Sequence, residues 1–143
     1  MSHKAQHQKQ RTVSMPNEQK LFQWLQKFDR EAIEFANEQG EMLRSVPSSQ
    51  IRKIFGTLRE LELQLRSGHS DSEWEAKLLM MKPRVAYLAG RHQSVRNAKL
   101  HLLVSSAVDL IVKAPDSQQQ KMFLNFVRLF EAILAYFKYY GGK

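Results

Sequence analysis

The sequence predicts an all-α protein, a compact single-domain bundle of about five helices. Apolar residues recur at three- and four-residue spacing in every long segment, helix caps and stops separate those segments, and no run alternates as a strand would. A chain of 143 residues can bury one core and is too short for two.

Residues 1–15 are polar, Gln-rich and basic, and they read as a flexible basic tail with too little apolar surface to order it. The bundle domain is expected over 16–143. After Pro16-Asn17, Leu21, Trp24, Leu25, Phe28, Ala32, Phe35 and Ala36 share one face of a first helix, with Gly40 as its stop. Val46-Pro47-Ser48-Ser49 opens a second helix with a serine at the N-cap, and Ser67-Gly68 ends it. Its buried stripe is Ile51, Ile54, Phe55, Leu58, Leu61 and Leu65.

Asp71 or Ser72 caps a third helix carrying Trp74, Leu78, Met81, Val85 and Leu88. Pro83 falls inside that run, where it removes a backbone donor and crowds the preceding turn. The stripe keeps its phase across the proline, so a single kinked helix is expected.

A fourth helix runs from Ser94 to Lys113 and stops at Ala114-Pro115; a fifth runs from Asp116 or Ser117 to Tyr140 and ends at Gly141-Gly142. Both are apolar on more than one face. In the fourth, Val95, Ala98, Leu102 and Leu103 point one way, and Leu100, Val104, Val108 and Ile111 another. In the fifth, Phe123, Phe126, Phe130, Ile133 and Phe137 crowd together, with Leu124, Val127 and Leu134 alongside. Such a helix is either central in its fold or covered by a second chain.

The composition removes several functions. With no cysteine there are no disulfides, thiolate metal sites or cysteine nucleophiles, which fits a cytoplasmic protein. The N-terminus lacks the apolar segment of a signal peptide, and Met122–Tyr140, the most apolar stretch, is interrupted by Arg128 and Glu131, so no membrane span is expected. His3, His7, His69, His92 and His101 form no helix-borne metal pair; His3 and His7 are four apart, but in the tail. Glu60, Glu62, Glu73 and Glu75 do not converge, the glycines form no phosphate loop, and Ser48 and Ser49 read as caps without a base beside them. The expectation is a protein without enzymatic activity, cofactor or metal.

Charge points to the partner. The formal net charge is +8, the acids gather from Glu18 to Glu41, and 76–108 holds Lys77, Lys82, Arg84, Arg91, Arg96 and Lys99 with no acidic residue. Arg52, Arg59 and Arg66 recur every seven residues on the second helix, and Lys77, Arg84 and Arg91 on the third. Seven residues is close to two turns, so each set forms a stripe with charges about 10 Å apart. Guanidinium forks in a row suit a phosphate backbone. The alternative is that these side chains snorkel, their stems covering the rim of the core. Tyr136, Tyr139 and Tyr140, at helical spacing, read as core or interface before they read as base-stacking groups.

Three segments carry a resemblance: Ser48-Ser49-Gln50-Ile51-Arg52-Lys53-Ile54-Phe55, then Lys82-Pro83-Arg84 through Tyr87 and Gly90-Arg91, then Phe130-Glu131-Ala132 through Ala135-Tyr136 to Gly141-Gly142. In this order and spacing the chain, over about residues 45–142, resembles the small subunit of the type III-A CRISPR effector, the Csm complex. Phe137 departs from that pattern, where a polar residue, often histidine, stands. The resemblance implies an all-helical, non-cleaving subunit present in several copies and stacked along guide RNA and target RNA. It would contact the backbone subunits and, at one end, the large signalling subunit, in antiviral defence. The candidate nucleic-acid-binding residues are Arg52, Lys53, Arg59, Lys82, Arg84, Arg91, Arg96 and Lys99. A second reading, of a different class, is a helical assembly adaptor that works through the apolar fourth and fifth helices, with its charge incidental.

Overall fold

A computed structural model describes residues 14–68 and 71–142. Of the flexible tail expected over residues 1–15, residues 1–13, with His3 and His7, lie outside the described residues, as does the turn at His69. Where tail and bundle meet, Met15 already packs against the core.

The described residues are all helical in class, without strands, but three of the five expected rods are each broken once. The helices are α1 (Glu18–Gln26), α2 (Arg30–Met42), α3 (Ser48–Arg66), α4 (Ser72–Leu79), α5 (Met81–Arg91), α6 (Gln93–Ala98), α7 (Leu100–Lys113) and α8 (Asp116–Tyr139). The first rod ends at Lys27, whose backbone is extended, and restarts at Asp29, whose carboxylate accepts the Ala32 N–H at 3.1 Å. This break is invisible to periodicity because Leu21, Trp24, Leu25, Ala32, Phe35 and Ala36 stay in phase and are buried on both sides of it. Phe28, in the connection, is only half-buried.

Gly40 does not stop the helix. It lies buried inside α2, where a Cβ would sit 2.6 Å from the Phe137 nitrogen and the Tyr136 Cβ. Glycine there lets α2 and α8 approach backbone to backbone.

The third rod turns at Met80 rather than running through. Pro83 has no N–H to offer the Leu79 carbonyl, and one residue in the right-handed region joins α4 to α5. The fourth rod breaks at Lys99, which takes a left-handed conformation with φ 58°. The Ala98 carbonyl freed there accepts a hydrogen bond from the Gln39 side chain, which is fully buried in α2. Neither Ser48 nor Ser49 caps α3; Pro47 holds the N-cap position with no side-chain bond, and Ser48 is buried in the first turn.

At the centre runs α8, packed against α1, α2, α3 and α7. Phe123, Phe126, Phe130, Ile133 and Phe137 are all fully buried in it, so its all-round apolar character is spent within its own chain. Trp74 packs edge-on against Phe123 and donates its indole N–H to the Leu61 carbonyl at 2.9 Å, which ties α4 to both α3 and α8. The chain closes with a Schellman turn: Gly142 N–H reaches the Phe137 carbonyl at 2.9 Å, Gly141 N–H reaches Lys138 at 3.1 Å, and Gly141 takes φ 95°. Gly142 thereby lies against the ring of Phe137. An apolar residue at 137 fits that buried position. In the fourth rod Leu102 is the exception to the expected stripes, being exposed where Leu103 is buried.

Candidate nucleic-acid interface

The α3 helix presents its cations on two different flanks. With about 100° between successive residues, Arg52, Arg59 and Arg66 share a face with Phe55, which stacks on Phe130 of α8 at 6.4 Å. Lys53 instead shares a face with Gln50 and Thr57, toward α5. The Arg52, Arg59 and Arg66 stripe therefore does not share the flank that Lys53 presents toward α5 and Arg84.

The α8-side stripe is also partly neutralised. Glu62 sits between two of its three arginines: Arg59 Nη1 donates to one carboxylate oxygen at 2.8 Å, and Arg66 Nη2 to the other at 3.1 Å. Arg59 further lies over the Phe55 ring, 5.8 Å from its centre. Glu62 is largely covered while both arginines stay about half exposed, so the pairs contribute on the order of 1 kcal/mol each and do not lock the arginines. They do place an acid in the middle of the stripe. Arg52 is exposed and has no ion-pair partner among the described residues.

On the other flank the structure gathers a different set. A groove of about 430 Å³ lies between α3 and α5, lined by Gln50, Lys53, Ile54 and Thr57 on one wall and Met81, Pro83, Arg84, Tyr87 and Leu88 on the other. Lys53 lines one wall and Arg84 the other, with no acidic residue in the lining. Arg91 lies two turns beyond Arg84 on the same face of α5; its guanidinium covers the Tyr87 ring at 5.7 Å and donates to the phenol oxygen at 3.0 Å.

The remaining candidates are tied elsewhere. Lys82 points to the other side of α5 and bridges to Asp109 of α7 at 2.7 Å. Arg96 caps the end of α5, donating to the carbonyls of Ala89 at 2.7 Å and Gly90 at 3.2 Å and to the Gln93 side chain. Lys99 occupies the left-handed corner between α6 and α7. Of the eight sequence candidates, Lys53 and Arg84 line one groove and Arg91 borders it through Tyr87; Arg52, Arg59, Lys82, Arg96 and Lys99 do not line it.

Sequence reasoning missed Gln50, Thr57 and Tyr87 as wall residues. A signal for Tyr87 existed: an aromatic four residues before an arginine, the spacing at which helix side chains meet. Among the described residues no three His, Asp or Glu side chains converge as a metal site would require, and no helix is long and apolar enough to cross a membrane.

No curated protein and no solved structure matches the chain. A family model does: the one described as Csm2 Type III-A matches residues 23–143, nearly all of the helical body and both walls of the groove. The chain belongs to the Csm2 Type III-A family, the small subunits of the type III-A CRISPR effector complex.

Proposed function

We propose that this small subunit is a non-catalytic, cytoplasmic RNA-binding protein, present in several copies along the guide RNA and target RNA of the complex, and that it holds the sugar-phosphate backbone through the α3–α5 groove. The observation that carries this reading is Lys53 on one wall and Arg84 on the other wall of a groove with no acid in its lining, with Arg91 farther along the same helix as Arg84. Cations on two walls can straddle a strand, and phosphate contacts need no particular base. Arg52, Arg59, Lys82, Arg96 and Lys99 are then secondary. Arg59 and Lys82 are each partly neutralised by a carboxylate, and Arg96 already serves the end of α5.

The test is a double substitution, Lys53→Ala with Arg84→Ala, in the full chain. Both side chains sit at the surface, so the melting temperature should stay within about 2 °C of the parent, as for surface changes of less than ~0.5 kcal/mol. Affinity for a single-stranded RNA at low salt should fall about tenfold or more, since a phosphate no longer met by a cation keeps its condensed counterions. An unchanged affinity with an unchanged fold would remove the groove from the reading.

The adaptor reading loses the part of its motive that came from the fifth expected helix, because the aromatic face of α8 is buried in its own chain. Apolar side chains that do reach the surface, such as Leu63 and Leu102, are candidates for contact with neighbouring subunits.

A further inference from the structure

We infer that the α3–α5 groove takes an unstacked nucleobase, which lies on the ring of Tyr87; the inference rests on the RNA-binding reading above and gives that site a second kind of contact.

Three observations meet here. Tyr87 is 66% exposed, an unusual position for a large ring on the wall of a groove whose floor is apolar. Arg91, four residues on, lies over that ring and bonds its hydroxyl, so the ring is held in place rather than left to swing. A platform already ordered in the free protein loses little side-chain entropy when a ligand lands on it. The lining then changes character within one cavity: Ile54, Met81 and Leu88 are apolar, whereas Gln50 supplies an amide and Thr57 a hydroxyl that donates to the Lys53 carbonyl and keeps its acceptor side.

A plain phosphate track has no use for an apolar floor, and an apolar peptide has no use for Lys53 and Arg84 in a lining that holds no acid. A nucleotide uses both. Its base covers the aromatic and aliphatic surface while its flanking phosphates meet the cations at the rim. The groove's volume of about 430 Å³ is in the range of small-ligand sites, roughly 300–1,000 Å³. Stacking is tolerant of base identity because every base has a π-face, so the groove needs no sequence preference. Only a base free of its own stack can enter, which selects single-stranded or locally unstacked RNA over a continuous duplex.

The experiment compares the parent chain with Tyr87→Leu and Tyr87→Phe, measuring affinity for a single-stranded RNA and for an abasic ribose-phosphate strand of the same length. Tyr87→Leu should weaken RNA binding by about fivefold or more, the lower end of what one stacked base contributes, and leave binding of the abasic strand unchanged. The salt slope should stay the same in both, since no charge is removed. Tyr87→Phe should retain RNA affinity within about twofold, because it keeps the ring face. The emission of a 2-aminopurine placed in the RNA should be quenched by the parent and by Tyr87→Phe and not by Tyr87→Leu. Full RNA affinity in Tyr87→Leu, or an equal loss on both strands, overturns the inference while leaving the RNA-binding reading in place. A parent chain that binds neither strand overturns both. Melting curves keep a folding defect from mimicking the expected loss.

Discussion

At Gly40 and Lys99 the fold asks something of a single residue that its neighbours cannot supply. A methyl group on Gly40 would sit 2.6 Å from the backbone nitrogen of Phe137, and a helix backbone cannot step aside as a flexible side chain can. Gly40→Ala should therefore destabilise the protein by about 3 kcal/mol, at the upper end of overpacking costs, visible as a lower urea midpoint with an unchanged slope. A midpoint within experimental error of the parent would mean that α2 and α8 do not approach this closely. Lys99 presents the opposite case, a residue with a Cβ held at φ 58°. Lys99→Gly should stabilise by about 1 kcal/mol, the approximate cost of a side chain in the left-handed region. A lower melting temperature would show that the lysine stem is needed at the corner. The sequence disclosed neither role. Gly40 looks like a helix stop and Lys99 like a phosphate clamp, because composition records which residue is present and nothing about the neighbouring backbone.

Arg96 shows how a cation can belong to an element before it belongs to a ligand. It reaches back seven residues to the last carbonyls of α5, which the break at His92 leaves without helical partners. Arg96→Ala should lower stability by about 1 kcal/mol, as for loss of a partly exposed hydrogen-bonded cap. Thermal melting in the absence of RNA is the measurement, and no change there would return Arg96 to the pool of free cations. The N-terminal end of α2 offers a matching case in Asp29, whose carboxylate holds the Ala32 N–H. Asp29→Ala should cost about 1 kcal/mol, typical for an N-cap; a neutral effect in urea unfolding would mean that packing alone holds α2. The Asp29 break was in principle legible, since Phe28 and Ile33 flank it at the positions of a hydrophobic staple. An unbroken apolar stripe concealed it. Helical periodicity reports which face is buried, and a change of direction that preserves the face leaves no mark on it.

For the whole molecule, the net charge of +8 is a poor guide to how many cations can act together. Three of them, Lys53, Arg84 and Arg91, line or border one groove, whereas others are bound to Glu62, Asp109 or helix carbonyls. If those three carry the binding of single-stranded RNA, the logarithm of the association constant should fall against the logarithm of salt concentration with a slope of roughly −2. A slope steeper than roughly −3 would require the Arg52 and Arg59 flank to bind as well, and a slope near zero would exclude a phosphate track altogether. The measurement is a salt titration of the isolated full chain.

The all-α class, most of the buried residues, and the segments that mark the family were determined by the sequence alone, because burial on a helix is a local property written at a fixed spacing. The tertiary structure decided which cations share a surface. Two helices with correct stripes still need a crossing to bring Lys53 and Arg84 to one groove, and the flank on which each arginine lies depends on what α8 and α5 cover. Spacing along one helix fixes angles about its own axis; the contacts between axes come only from packing.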